Sequence, residues 1–230
     1  VTTVDHNIID NIRRVSRQIR STAHKYQRSA DDIRLLAASK TFPISAIRVA
    51  YAAGQRLFGE NYVDEAIEKI RPLSELDIEW HYIGPIQSNK TRKIASHFTW
   101  VQSLDQGRHA RRLSEHRSGL PPLNVCIQVN ISAEATKSGI APHELEGFAE
   151  SISSLPNLKL RGIMGIPVKE SCFERQRQAF AKLARAYNRL KNQGYSLDTL
   201  SMGMTGDMQA AIAEGTTMVR IGTAIFGQRQ

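Results

Sequence analysis

Cysteine is scarce in this chain: Cys126 and Cys172 are its only two in 230 residues, far apart and in no CxxC pair. That argues against a disulfide framework and for plain thiols in a reducing compartment. No apolar stretch reaches membrane-spanning length, so no membrane association is expected. The first residues, Val1-Thr-Thr-Val-Asp-His6, lack the charged-then-apolar pattern of an export signal, and a cytoplasmic location is the expectation. The seven histidines are scattered without ligand spacing, so no metal is expected. His81 alone falls inside an apolar strand-like run and reads as a hydrogen-bonded core residue. No GxGxxG follows an early strand, and no low-complexity or Pro/Ser-rich linker breaks the chain. One domain spanning residues 1–230 is expected, with residues 1–30 carrying an extra helix packed on it.

What is abundant is positive charge, a formal +9. The basic residues lie at helical spacing opposite apolar stripes. Arg13, Arg17, Arg20, His24 and Arg28 share one helix, Arg108, Arg111, Arg112 and Arg117 another, and Lys182, Arg185, Arg189 and Lys191 a third. That is the pattern of a solvated face. No helix-turn-helix, zinc-finger or single-strand-binding motif accompanies it, so nucleic acid is a secondary alternative and not an expected partner. Hydrophobic residues make up 41%, ordinary for a globular protein.

Helical periodicity over 5–28 (Ile8, Ile12, Val15, Ile19, Ala23, Tyr26) predicts a leading helix with Asp5 as its N-cap. The chain then alternates. Strands are predicted at 33–40, 56–61, 78–84, 97–103, 124–131, 158–166, 199–204 and 218–225. Helices are predicted between them at 44–53, 62–71, 88–96, 106–117, 142–154, 173–193 and 207–214. Gly54, Gly194 and Gly215 stand where helices stop, Pro43 and Pro142 where they start, and Asp207 where a short one can be capped. Eight strands alternating with helices favour a closed (β/α)₈ TIM barrel over an open doubly wound sheet.

In such a barrel, chemistry sits at the C-terminal ends of the strands. Strand one closes on Lys40, strand two on Asn61, strand seven on Ser201-Met-Gly203 and strand eight on Arg220-Ile-Gly222-Thr223. A lysine at a strand mouth can present a neutral amine to an aldehyde. Hydroxyls and exposed backbone N–H groups at strands seven and eight suit a phosphate. Strand one adjoins strand eight in a closed barrel, so one ligand, pyridoxal 5′-phosphate, can meet both. Arg220, facing inward, would donate to the pyridine nitrogen and keep it unprotonated, which weakens the ring as an electron sink.

Several long segments now carry a resemblance: Leu36-Ala-Ala-Ser-Lys40, Phe58-Gly-Glu-Asn-Tyr62, Trp80 through Lys90, Lys137-Ser-Gly139, Ser201-Met-Gly-Met204 with Asp207, and Met218 through Gly227. In fixed order over nearly the whole length, they resemble the pyridoxal phosphate homeostasis protein family, related to the alanine racemase N-terminal barrel. The resemblance implies a single-domain barrel of fold type III. It implies an internal aldimine on Lys40, phosphate contacts at Ser201, Gly203, Gly222 and Thr223, a ring-nitrogen partner in Arg220, and Asn61 close to the ring. It further implies a protein that binds and delivers the cofactor in vitamin B6 and amino-acid homeostasis, with no catalytic residue and no turnover.

Free amino acids and apo forms of cofactor-dependent enzymes are the expected partners, and a monomer the expected state. A fold type III racemase or decarboxylase is the alternative. It needs acid–base groups on both faces of the substrate carbon. Tyr62 and Tyr82 are the candidate general acids for it, but neither has an evident partner base, and no C-terminal β-domain is expected after strand eight. Two local readings remain. Lys137 reads as a surface lysine with a secondary transfer role as its alternative, and Gly206, where relatives carry a polar residue, is expected to loosen the turn near the phosphate.

Overall fold

In the computed structural model, which describes residues 3–131 and 138–228, the predicted alternation becomes a closed barrel. Its parallel strands follow in chain order: β1 (Arg34–Ala38), β2 (Leu57–Glu60), β3 (Glu79–Tyr82), β4 (Trp100–Leu104), β5 (Leu123–Gln128), β6 (Leu158–Met164), β7 (Thr199–Ser201) and β8 (Met218–Ile221). The ring closes where β1 pairs with β8, Leu36 opposite Arg220 and Ala37 opposite Ile221. Phe58, Val101, Val125, Ile127 and Ile163 are fully buried, as strands covered on both faces require. Around the barrel run α2 (Ile44–Ala52), α3 (Val63–Ile70), α4 (Thr91–His97), α5 (Gly107–His116), α6 (Leu145–Ser153), α7 (Phe173–Asn192) and α8 (Met208–Ala213).

The extra helix, α1 (Thr3–Lys25), packs on α2, α8 and the short α9 (Thr223–Phe226). Its buried stripe is the predicted one, Ile8, Ile12, Val15, Ile19 and Ala23, and each of the larger side chains contributes roughly 1.5–3 kcal/mol of gross burial energy. The Asn11 side-chain amide also donates to the Ile225 carbonyl at 2.9 Å, tying α1 to the turn after β8.

Several boundaries differ from the sequence reading. The apolar run after Ile221 does not continue as strand. Gly222 turns the chain, its carbonyl accepts from Ile225 and Phe226, and α9 results. Short apolar runs are ambiguous between helix and strand, and here local hydrogen bonding decides. β4 starts at Trp100 because residues 97–98 complete α4. β1 stops at Ala38, which leaves Lys40 on a turn past the strand. α1 starts at Thr3, so Asp5 lies inside its first turn rather than at a cap. Asp207 stands at the N-cap of α8, but its carboxylate accepts from the Met204 N–H at 2.6 Å instead of from the helix. Arg117 is buried and donates to the carbonyls of Ala95, Phe98 and Pro121, so it terminates α4 and is no part of a solvated face. Gly54, Gly194 and Gly215 do end their helices with φ of 97°, 95° and 95°.

Candidate functional site

At the C-terminal mouth of the barrel a cavity of about 290 Å³ is lined by Ala38, Lys40, Asn61, Ile83, Met164, Ile166, Met204, Thr205, Gly206, Arg220, Gly222 and Thr223. Five of the seven residues singled out from the sequence therefore meet in one wall: Lys40, Asn61, Arg220, Gly222 and Thr223. Ser201 and Gly203 do not line it. Ser201 is fully buried, and Gly203 (φ +99°) lies so close to α8 that a Cβ would sit 2.5 Å from that of Ala211. Lys137 lies outside the described residues.

Lys40 rides on a tight turn closed by the Phe42 N–H on the Ser39 carbonyl. Thr41 beside it has φ of 68°, in the left-handed region. Phe42 stacks on Phe226 of α9 with ring centroids 5.0 Å apart. Thus the lysine turn of β1 and the Gly222–Thr223 turn after β8 brace each other. With the Ile225 and Phe226 N–H groups taken by the Gly222 carbonyl, those of Thr223 and Ala224 open α9 without an intrahelical acceptor, and the Thr223 side chain is exposed beside them. Across the cavity, the loop at Met204–Gly206 is pinned by Asp207 from below and by the Gln176 amide, which donates to the Gly206 carbonyl at 3.3 Å. The turn that Gly206 was expected to loosen is therefore held from two sides.

Arg220 is 6% exposed. One terminal nitrogen donates to Ser201 Oγ at 2.7 Å and the other to the Gly165 carbonyl at 3.1 Å. Burial lowers its pKa to about 10, against the pull of Asp207 and Cys126, so it stays a cation at neutral pH. Ser201 is the first link of a chain through the barrel. Its hydroxyl donates to Gln102 Oε1 at 2.6 Å, and Gln102 Nε2 faces His81 Nδ1 at 2.9 Å. His81 Nε2 faces Glu79 Oε1 at 2.8 Å, which also accepts from Arg34 at 2.5 Å. With the Gln102 oxygen accepting, its amide group must donate, so His81 Nδ1 accepts and its proton sits on Nε2. Burial lowers the His81 pKa, which agrees with a neutral ring. Burial pulls the Glu79 carboxyl up, but His81 and Arg34 outweigh it and hold the pKa at about 2. The core role expected for His81 is thus found, as one link of a longer path.

Asn61 carries a buried Oδ1 with no hydrogen-bond partner, and its side chain borders both this cavity and a neighbouring one of about 260 Å³ that includes Tyr62 and Tyr82. An amide left with an unmet terminal atom at the cavity wall fits a site built for a polar ligand. Lysine amine, arginine donor, hydroxyl and turn N–H groups are the donor set that an aldehyde, a pyridine ring and a phosphate require, so the residues present fit pyridoxal 5′-phosphate. Tyr62 is 54% exposed, and the Tyr82 hydroxyl donates to the Pro85 carbonyl at 2.8 Å, its pKa raised by burial to about 12. Among the described residues no three His, Cys, Asp or Glu gather to hold a metal, and no helix is long and apolar enough to cross a membrane.

Sequence reasoning missed Gln102, and it missed Ile83, Met164 and Ile166, the apolar side of the cavity. Strand alternation held the only signal for them. It also missed a buried cluster under the lysine turn, in which Lys69 contacts Glu60 and Glu65. Lys69 reads as an ordinary surface residue of an amphipathic helix, and nothing in its spacing marks it.

Comparison with known proteins agrees with this fold. The family model for the alanine racemase N-terminal domain matches residues 10–230. A pyridoxal phosphate homeostasis protein of Pseudomonas aeruginosa is 54% identical over 96% of each chain. One of Escherichia coli strain K12 is 51% identical over 97% of each. Among solved structures, PipY of Synechococcus elongatus with PLP bound aligns at a TM-score of 0.78 with 37% identity, covering 91% of this chain and 100% of that one. An alanine racemase of Corynebacterium glutamicum shares the fold at a TM-score of 0.71 and 17% identity, over 96% of this chain and 60% of that one.

Proposed function

Because this chain belongs to the pyridoxal phosphate homeostasis protein family, one built on the alanine racemase N-terminal domain, we propose that it holds pyridoxal 5′-phosphate in the cavity at the barrel mouth and serves vitamin B6 and amino-acid homeostasis. The observation that carries this reading is the meeting of Lys40, Arg220 and Thr223 in one wall. When bound, the cofactor supplies an aldehyde that condenses with amines and a ring that withdraws electrons. Lys40 Nζ holds the aldehyde carbon. Gly222 and Thr223, with the Met204–Gly206 loop opposite, hold the phosphate. Arg220, kept cationic and aimed by Ser201 and Gly165, donates to the ring nitrogen and so leaves it unprotonated. Asn61 gives its unmet amide to the ring edge.

We read the protein as a carrier rather than an enzyme. Lys40 and Arg220 are the only titratable side chains among the described residues of the cavity wall, so no second acid–base group stands ready on the opposite face of a substrate carbon. Free amino acids and apo enzymes are the proposed partners, a cytoplasmic monomer the proposed state. Titration with the cofactor, borohydride reduction and peptide mapping test the site. Label on Lys40 supports it, and label on another lysine overturns it. Incubation with L- and D-amino acids in deuterated water tests the carrier reading, which rapid catalytic exchange at Cα of even one amino acid would refute.

A further inference from the structure

Beneath the lysine turn lies a buried cluster that the reading above leaves unused. Lys69 is 5% exposed although it sits on a surface helix, α3. Its ammonium donates to Glu60 Oε1 at 2.9 Å, to Glu65 Oε1 at 2.6 Å and to the Ser39 carbonyl at 3.0 Å. Ser39 Oγ donates to the same Glu60 oxygen at 2.6 Å. Glu65 Oε1 also accepts from the Thr41 N–H at 2.6 Å. The residues on both sides of Lys40 are thus fastened to one ion cluster, and Thr41, fastened by Glu65, is the one in the left-handed region. Threonine is strained there, and such strain persists only where its surroundings over-determine it. Lys69 and Glu60 are buried and Glu65 is half-buried; burying such a pair is costly, and for stability alone a packed apolar cluster would serve as well.

We propose that Glu65, with Lys69 and Glu60 behind it, is a positioning residue for Lys40: it holds the Ser39–Phe42 turn in the conformation that aims the lysine amine at the aldehyde carbon of the cofactor. The inference rests on the proposed site. In the capture step the neutral amine adds to that carbon, and both amine hydrogens leave with the carbonyl oxygen as one water. Phosphate binding and the ring-nitrogen contact need no part of this cluster, because Arg220 lies on β8 and the phosphate residues on the turns after β7 and β8; Asn61, which follows Glu60 at the end of β2, is left in place by a substitution at Glu65.

The experiment separates capture from binding. Pyridoxine 5′-phosphate, the alcohol analogue, fills the ring and phosphate positions but offers no aldehyde. In Glu65→Ala, whose wild-type side chain is 31% exposed and whose removal leaves Lys69 paired with Glu60, the rate of covalent capture, followed by absorbance, is expected to fall ~10–100-fold, as a misplacement of about 1 Å does. Affinity for the alcohol is expected to stay within about twofold, well under the tenfold that 1.4 kcal/mol represents. Glu65→Gln keeps an oxygen for the Thr41 N–H and is expected to recover most of the rate. Unchanged capture in Glu65→Ala overturns the proposal. So does an equal loss of capture and alcohol affinity, which marks general loosening. Borohydride labelling of wild-type protein away from Lys40 refutes the site itself, and the proposal with it, through a different readout.

Discussion

The two cationic arms of the site are held in opposite ways. Arg220 on β8 is fixed by neutral groups, a hydroxyl, an amide and an imidazole in single file that end on the Glu79 carboxylate at the far side of the barrel. Lys40 sits past β1 on a turn whose neighbours are fixed by a compact cluster of ions, one oxygen of which, Glu60 Oε2, is buried without a partner. The difference follows the chemistry asked of each. A guanidinium keeps its charge at every physiological pH and needs only orientation, which a directional chain of hydrogen bonds supplies. A lysine that bonds covalently must change protonation state and partner, and what the cluster fixes is the backbone on either side of it.

The harshest way to break the comparison is Lys40→Ala. It should abolish covalent capture entirely while leaving pyridoxine 5′-phosphate bound, as read by borohydride labelling and by titration of the alcohol. Gln102→Leu cuts the other arm. It leaves the Ser201 hydroxyl proton and His81 Nδ1 without a partner, each orphan costing about 1–3 kcal/mol, so a loss of about 2–6 kcal/mol is expected in chemical denaturation. Cofactor affinity should fall with it as Arg220 loses its aim. A smaller effect should follow from Thr223→Val. It removes a hydrogen bond to a charged group worth about 1.5–3 kcal/mol, weakening phosphate-bearing ligands ~10–100-fold with unchanged stability. Ser201→Ala sharpens the contrast, because it should lower stability as well as affinity if the hydroxyl serves Arg220 rather than the phosphate. The smallest effect concerns pH. Glu79 has a folded pKa of about 2, below its ordinary 4.5. Its stabilisation is therefore present above pH 4.5 and is lost as pH falls towards 2. The fall of Tm across that window should be shallower in Glu79→Gln than in the wild type.

The barrel was legible because eight apolar runs alternate with amphipathic ones, and a periodic signal of that length survives errors at its edges. The edges were less clear. The apolar run Ile221–Phe226 holds both the end of β8 and all of α9, and only the Gly222 carbonyl decides between them. Lys40, Arg220, Gly222 and Thr223, singled out by their place in the alternation, and Asn61, singled out by the resemblance, line one cavity because strand ends of a barrel converge, so position in the alternation translates into position in space. Ser201 and Gly203 share a strand end with the phosphate side, yet they turn into the barrel interior and towards α8, a matter of side-chain direction that spacing alone does not carry. Glu60, Lys69 and Gln102 were invisible for a related reason. A buried polar residue looks like an exposed one until its partner, far away in the chain, is known.

The pairing of β1 with β8 has a consequence for how the protein comes into being. The amine arm belongs to the first strand and the guanidinium arm to the last, and the two meet only when Leu36 lies opposite Arg220. Such a contact carries the largest sequence separation the barrel offers, and it forms late because the intervening loop must close first. A chain still emerging from the ribosome has no site until β8 arrives. A ligand that binds only the closed ring then favours closure by mass action, by about 2.7 kcal/mol at a hundred times its Kd. On the proposed function the cofactor would thereby act on this protein as a folding ligand, and vitamin B6 supply would be written into the abundance of the closed chain.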